Sequence, residues 1–310
     1  MNVTVITLRF GSIDTRYRPV RGGVAVTRFR AAFRVPPRTI RMVYADLHVH
    51  TTRSDGALDP DEVPAVARQA GLSAVAITDH ERLQPSLSAP IVERDGVTVI
   101  YGVELRVEAP AGRVDLLGYG VDPTPALRET LDGIQRNRVE RAGRIIDCVE
   151  DRLGVDLDLE PATGVGRPHV ARAIADHPDT GIDYEGAFDR LIGGGDPCFV
   201  PREIPSFDRG VDLLRESCRL VALAHPLRYP DPEVAFALAA DLDAIERNYT
   251  YDSAVDLGPV DEAIERHGLL ATGGSDAHDR TSVGDAGLDE AAFERIRERI
   301  ERPLRAERDH

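Results

Sequence analysis

The sequence contains no lysine and no tryptophan, and only 5% of its 310 residues are aromatic. Every permanently basic side chain is therefore an arginine. The 38 basic residues face 53 acidic ones, a net charge of −15. Such a surface disfavours non-specific binding to duplex DNA, which needs a basic footprint. It suits a protein that stays soluble in concentrated salt, a halophile-like balance. No apolar run approaches the ~20 residues of a membrane-spanning helix, so a spanning protein is excluded. Cysteine is scarce as well. Cys148, Cys198 and Cys218 are widely spaced with no C-x-x-C, which argues against a disulfide scaffold and a thiolate zinc site and fits a reducing cytoplasm. What remains, 42% hydrophobic and 29% charged, is a globular chain of one large domain or two small ones.

The charge is unevenly spread. Nine arginines and one acid, Asp14, precede Met42, together with Gly22-Gly23 and Pro36-Pro37. Residues 1–41 show no sustained helical period and no apolar segment of the kind that targets a chain. They are expected to be a non-structural extension, disordered or read from a wrong start codon, that buries too little apolar surface to offset its ordering entropy. The domain is expected to span 42–310.

From Met42 onward the pattern is α/β. Short apolar, β-branched runs recur at Val43–His50, Ala74–Thr78, Val97–Val103, Val114–Tyr119, Leu220–Ala224, Asp243–Glu246 and Leu269–Thr272. Helical patterns lie between most of them. Asp59-Pro60-Asp61-Glu62 predicts a helix N-terminus with Asp59 as cap, and Gly71 its end. Seven strands with intervening helices predict parallel βα units closing into a barrel. Between about 121 and 201 no strand signal occurs. A long helix over Thr124–Leu153, ended by Gly154, and shorter pieces around His169–Ala175 and Tyr184–Ile192 predict a helical insertion. A charged surface helix is expected over Asp289–Arg302.

The chemistry gathers at the strand ends. His48 and His50 lie two residues apart, so in a strand both imidazoles point to one face. An H-x-H pair alone also suits two polar residues on a solvated face. Asp55 follows in Ser54-Asp55-Gly56, which is equally an ordinary turn. Successive strands then deliver Asp79-His80, Glu104, His225-Pro226 and Ser275-Asp276-Ala277-His278. Each group is separately explicable as a turn or a satisfied histidine. Jointly, His, Asp and Glu at strand carboxyl ends describe the top face of a barrel active site. Imidazole plus carboxylate without sulfur suits Zn, Mn or Fe.

This constellation resembles the PHP (polymerase and histidinol phosphatase) domain family, metal-dependent phosphoesterases on a distorted seven-stranded βα barrel. The resemblance runs from Met42 to about Leu288. It rests on His48-x-His50, Ser54-Asp55-Gly56, Thr78-Asp79-His80, Gly102-Val103-Glu104, Ala224-His225-Pro226 and Asp276-x-His278, in that order. It implies two or three divalent ions (Mn, Fe or Zn). One would use His48, His50, a bridging Glu104 and Asp276; a second would share Glu104 and add His225; a third would use Asp55, His80 and His278. The family's second position normally takes another histidine, where this chain has Asp115 in Val114-Asp115-Leu116-Leu117-Gly118. Two readings of Asp115 stand: a carboxylate ligand with a harder metal preference, or a second site left weak. The insertion, with Gly166-Arg167-Pro168-His169, resembles the branch that hydrolyses nucleotide phosphoesters, such as nucleoside 3',5'-bisphosphates or short RNA ends.

The expected mechanism follows from the charges. Closely held cations lower the pKa of a bound water, supply hydroxide near neutral pH and screen an anionic substrate inside an acidic protein. No sequence context suggests a covalent nucleophile. Arg167 is expected to grip a phosphate oxygen and His169 to donate to substrate or leaving group, against the plainer reading that Arg167-Pro168-His169 simply starts a helix. Arg202 is a further phosphate candidate or a surface charge. Glu246 and Asn248 either line the pocket or make strand-end hydrogen bonds. His267 suits a helix end, and His177 and His310 suit solvent. The expected partner is a small phosphorylated substrate, a nucleotide or short RNA. The alternatives are a small-metabolite phosphatase, such as a histidinol phosphatase, and a non-catalytic binding domain that has kept the fold.

Overall fold

The computed structural model describes residues 43–304, apart from residue 111. The basic segment before Met42, Met42 itself and His310 lie outside the described residues, and with them the expectation of a non-structural extension. Strand β1 (Ala45–Val49) leads through helix α1 (Val63–Gln69) to β2 (Ala74–Ile77) and then to a hairpin of β3 (Ile91–Arg94) with β4 (Val97–Ala109). β5 (Gly112–Val121) turns straight back along β4. Three helices follow, α2 (Pro125–Leu153), α3 (Arg167–Asp176) and α4 (Tyr184–Ala187), the last continuing as a π-helical turn over Phe188–Ile192. The described chain finishes with α5 (Phe207–Ser217), β6 (Cys218–Leu223), α6 (Pro232–Ala239), β7 (Ala244–Tyr249), α7 (Gly258–His267), β8 (Leu270–Gly274) and α8 (Glu290–Glu301).

Seven strands lie in the order β1-β2-β4-β5-β6-β7-β8, with β3 paired to β4 off this path. The chain just beyond β8 returns to β1. His50 N–H donates to the Ala277 carbonyl at 2.9 Å, and Ala277 N–H to that of His48 at 3.2 Å. The expected barrel is thus nearly closed, but not from parallel units throughout. β5 runs antiparallel to both β4 and β6, because β4 and β5 are joined by a tight turn at the Ala109–Gly112 pair, far shorter than a parallel crossover requires. β3 has no counterpart among the strands expected from sequence. It is a short, half-buried ribbon turned by Asp95 and Gly96, whose φ values of 53° and 76° fit a two-residue hairpin.

Helix ends follow local chemistry. The Thr124 side chain accepts from Leu127 N–H at the start of α2, and Gly154 ends it at φ 65°, as expected. Asp59 does not cap α1. Its Oδ1 accepts from Asp61 N–H and its carbonyl from Glu62 N–H, so it closes a turn, and the helix begins at Val63. α8 is more than a surface helix: its Asp289 cap accepts from Ala292 N–H, and Phe293, Ile296 and Ile300 are buried.

Strand alternation sorts the side chains into two cores. In β2, Val75 and Ile77 pack outward with residues of α1, α5, α6 and α7, while Ala74 and Ala76 join Ile100, Leu117, Tyr119, Ala222 and Ala244. The second set mixes alanines from the strands with larger side chains such as Ile100, Leu117 and Tyr119 and with Phe293, Ile296 and Ile300 of α8. The insertion holds a third core of its own, including Ile145, Val149, Val170, Ile174 and Ile192. A disulfide joins Cys148 of α2 to Cys198, with Cα atoms 5.6 Å apart, while Cys218 is free and buried. Wide spacing thus does not keep the cysteines apart: Cys148 and Cys198 meet across 50 residues. Their distant spacing concealed the pairing, because the segment after the π turn comes back to lie against α2. Among the described residues no helix is long and apolar enough to cross a membrane.

Closure of the barrel depends on Gly274. A Cβ there would lie 2.2 Å from His48 Cβ and 2.4 Å from its backbone nitrogen, where only backbone movement could relieve the clash. Gly274→Ala should therefore lower the unfolding free energy by about 3 kcal/mol, at the upper end for overpacking, and displace His48. Denaturant melts and metal analysis of the variant check this; unaltered stability with unaltered metal content would show that β1 and β8 can separate freely.

Candidate metal centre

β1 places Asp46, His48 and His50 on one side of the strand, all three fully buried. β4 brings Glu104, with no solvent exposure, to the middle of the same space. One Glu104 oxygen lies 3.4 Å from Nε2 of both His48 and His50 and 2.7 Å from Nδ1 of His80; the other lies 3.3 Å from His225 Nε2. Asp276 Oδ1 approaches His50 Nε2 at 3.0 Å and His48 Nε2 at 3.5 Å. Asp55 lies 3.4 Å from His278 Nε2 and 3.7 Å from His80 Nε2. The His50 ring packs against those of both His80 and His278, with centroids 4.3 and 4.4 Å away.

Three groupings could each hold a cation: His48, His50 and Glu104; Glu104, Asp115 and His225; and His50, Asp55, His80 and His278. Every metal-ligand candidate named from sequence falls in or against this cluster, and His50 reaches the third grouping as well as the first. Asp115 arrives by a different route from the rest. Because β5 runs backwards, it is the early part of that strand that reaches the top of the barrel, and Asp115 lands opposite Arg106. Arg106 donates to both its oxygens at 2.7 Å, and His225 Nε2 stands 3.7 Å away.

The donor set fits divalent metal. Nε2 of His48, both ring nitrogens of His50, Nδ1 of His225 and Oε2 of Glu104 are buried and make no aligned hydrogen bond, although ion-pair neighbours stand as close as 2.7 Å to Glu104 Oε2 and 3.0 Å to His50 Nε2. Buried polar atoms are normally paired, since each unpaired one costs about 1–3 kcal/mol. Here several unpaired donors converge on one space, and nitrogen with oxygen and no sulfur suits Mn, Fe or Zn.

Charge inside the cluster is balanced pairwise. Burial pushes the His48 imidazole down, but Glu246 and Glu104 overcome it and hold the ring well above its ordinary range. His80 faces the same contest, burial against Glu104 and Asp55, and rises to about 9. Burial disfavours charge on Glu104, yet His80 and His48 hold its carboxyl well below the usual carboxylate range.

A surrounding layer aims these groups. Glu246 Oε1 lies 3.0 Å from His48 Nδ1, and its Oε2 accepts from His225 N–H at 2.8 Å; this settles the open reading of Glu246 in favour of the site. Asn248 instead donates to the Gly287 carbonyl. Asp46 accepts from the N–H groups of His48, Ser275 and Gly284. Asp79 accepts from Thr51 N–H, Thr51 Oγ1 and Ser54 Oγ, each at 2.7 Å. Tyr249 OH donates to Asp276 at 2.9 Å. Asp46 shares the pleat of His48 and His50, so alternation would have found it. Nothing local marks Tyr249. His225 and Asp276 have φ of 26° and 57°, conformations that cost about 1–3 kcal/mol each and cluster at functional sites.

Arginines from the insertion meet this centre through Glu81. That residue, buried and at φ 43°, donates its N–H to the Glu104 carbonyl at 2.8 Å. Its carboxylate holds Arg138 at 3.0 Å and Arg202 at 2.9 Å, and its carbonyl accepts from Gln135. Arg202 is thus no free surface charge. Arg141 donates to the Val200 carbonyl at 2.6 Å, and its guanidinium is pushed down to about 10 by burial and by Arg167 and Arg202. Arg167 bonds the Ile192 carbonyl and lies over the Phe188 and Phe199 rings. His169 is exposed, and its Nδ1 accepts from Gly166 N–H. Neither Arg167 nor His169 makes a hydrogen bond or ion pair to the cluster among the described residues.

Because Glu246 and Glu104 favour the protonated form of His48, and Glu104 and Asp55 that of His80, a cation binding there competes with protons. Mn2+ binding to chelator-stripped protein should release protons and tighten from pH 6 to 8, about tenfold per pH unit for each proton displaced. Calorimetry in buffers of different ionisation enthalpy measures both. Affinity flat across this range would place the cation elsewhere.

The PHP domain model matches residues 46–160. The chain is 28% identical over 270 residues to a 3',5'-nucleoside bisphosphate phosphatase of Chromobacterium violaceum, covering 80% of this chain and 90% of that protein. It is 30% identical over 251 residues to a phosphoribosyl 1,2-cyclic phosphate 1,2-diphosphodiesterase of Eggerthella lenta, covering 75% and 93%. A crystal structure from Bifidobacterium adolescentis shares the fold with a TM-score of 0.64 at 23% identity, over 83% of this chain and 96% of that one. Sequence and fold agree with what the strand ends display: this chain belongs to the PHP domain family and is a metal-dependent phosphoesterase.

Proposed function

We propose that the chain hydrolyses a nucleotide-type phosphoester, a nucleoside 3',5'-bisphosphate or the end of a short oligonucleotide, with two or three Mn, Fe or Zn ions. The observation that carries this reading is the junction at Glu81, which joins an insertion rich in arginine to the buried histidine–carboxylate cluster. One ion would be held by His48, His50, Glu104 and Asp276, a second by Glu104, His225 and Asp115, and a third by Asp55, His80 and His278. Bound cations supply an activated water near neutral pH and screen the phosphate's charge.

The protein's own groups do the rest. Glu246 fixes the His48 ring and the His225 backbone. Asp55 and His278, with side chains 60% and 40% exposed, form the open lip over which substrate enters. Arg138 and Arg202 share a single carboxylate, so positive charge remains in excess where a second phosphate would sit. Arg167, braced on Phe188 and Phe199, adds to it. His169 has one ring nitrogen committed to its helix cap, which leaves Nε2 to donate toward a leaving group. The relative from C. violaceum, named for nucleoside bisphosphates, and a Haemophilus influenzae relative named a 5'-3' exoribonuclease support this substrate class. A cytoplasmic setting goes with nucleotide turnover.

Phosphate release by the Mn-loaded protein should be at least tenfold more efficient, by kcat/KM, for nucleoside 3',5'-bisphosphates or 5'-phosphorylated oligonucleotides than for histidinol phosphate. The reverse order would overturn the nucleotide reading. Asp115→Ala should lower activity chiefly by weakening one ion, with excess Mn2+ restoring much of the rate. Unchanged activity and unchanged metal affinity would make Asp115 only the partner of Arg106.

A further inference from the structure

On the far side of the barrel from Glu81, a cavity of about 250 Å3 opens beside the metal centre, with Tyr249, Tyr251 and Val255 in its lining. It shares a wall with that centre, because Tyr249 donates to Asp276 and its ring lies 5.4 Å from the His225 ring. The two tyrosine rings meet edge to face, 4.8 Å apart at 61°, an arrangement in which one ring turns its edge to its partner and a face is left over for a third ring. Tyr251 is fixed by its hydroxyl, which accepts from Leu227 N–H at 3.4 Å. Val255, 38% exposed, is one of two large hydrophobic side chains exposed among the described residues.

Of the polar side chains lining the cavity, Arg247 and Asn248 are already spoken for, while Ser253 is exposed. Arg247 makes two hydrogen bonds to Asp261 and one to Asn248, and Asn248 donates to the Gly287 carbonyl. The walls therefore offer chiefly flat aromatic and apolar surface to a ligand, with the Ser253 hydroxyl at their edge.

We propose that this cavity is a nucleobase subsite, in which Tyr251 and Tyr249 stack the base of a nucleotide whose phosphate lies at the metal centre. The inference rests on the nucleotide reading above and deepens it. A flat ring system is the occupant that matches two aromatic walls, one of which, Tyr249, touches Asp276 at the phosphate site. Recognition by stacking alone tolerates any base, since each has a π face. Purine and pyrimidine nucleotides should then bind comparably, with the basic wall on the Glu81 side left to select the second phosphate.

The test compares binding of a nucleoside 5'-monophosphate with that of ribose 5-phosphate to the metal-loaded protein, by calorimetry, alongside turnover. The nucleotide should bind about tenfold more tightly, a typical effect of one base on an aromatic ring. Tyr251→Ala should abolish that advantage and leave ribose 5-phosphate binding and metal content unchanged. Tyr251→Phe, which keeps the ring, should retain it. No base-dependent advantage, or one that survives Tyr251→Ala, would overturn the subsite while leaving the phosphoesterase intact. A base-dependent advantage lost in Tyr251→Ala, in a protein that turns over no nucleotide, would uphold the subsite and sink the nucleotide phosphoesterase reading.

Discussion

A carboxylate without solvent exposure stands among four imidazoles, and the surrounding architecture answers that crowding. Buried charge is tolerable only with opposite charge in contact. Glu246, His48, Glu104, His80, Asp55 and His278 accordingly alternate acid and base through neighbours 2.7–3.7 Å apart. In such a chain the neighbouring carboxylates favour the protonated forms of His48, His80 and His278, and the histidines favour the ionised forms of Glu104 and Asp55. Metal replaces protons without requiring the array to be rebuilt. The site can therefore be preformed, and its buried, unpaired ring nitrogens become tolerable as positions awaiting a cation.

The same crowding explains where the backbone is strained. His225 and Asp276 occupy left-handed conformations that most residues avoid. Each is held there by groups belonging to the site. Glu246 accepts the His225 N–H, His278 Nδ1 lies 2.8 Å from the Asp276 carbonyl, and Tyr249 and Arg228 bind the Asp276 carboxylate. Strain persists where surrounding contacts over-determine it, and these contacts come from β7 and the loops after β6 and β8. The close approach of β8 to β1 through Gly274 belongs to this set, since His48 stands where any side chain would intrude.

Much of this was legible in the sequence, for a physical reason. Strand-end ligands such as His48, His80, Glu104, His225 and Asp276 announce themselves because period-two alternation and turn chemistry are local. The seven barrel strands and α2, with Thr124 and Gly154 at its ends, were legible on the same grounds. What escaped was long-range. The direction of β5 depends on a tight turn whose residues also suit a loop. The pairing of Cys148 with Cys198 spans 50 residues and requires the insertion to fold back on itself. Glu81 and Tyr249 act through partners far away in the chain, and nothing in their neighbours marks them. The cap at Asp59 failed for another reason: an Asx turn and an N-cap use the same oxygen, and only the backbone decides between them.

The chain separates chemistry from selection, and it joins them at one residue. The metal ligands stand on barrel strands and the loops at their ends, while the arginines that would select a second phosphate stand on or beside an insertion with its own core and its own disulfide. Two cores so divided could drift independently, and a loosely placed guanidinium would hold a phosphate poorly, because positional precision sets the worth of such a contact. Glu81 prevents the drift. Its backbone N–H is fixed to the carbonyl of Glu104, the carboxylate at the heart of the cluster, and its own carboxylate clamps Arg138 and Arg202. An uncharged residue there would leave two guanidinium groups without their acid and a hinge between the two cores. The left-handed φ at this position is then the cost of turning one residue to face both parts of the molecule at once.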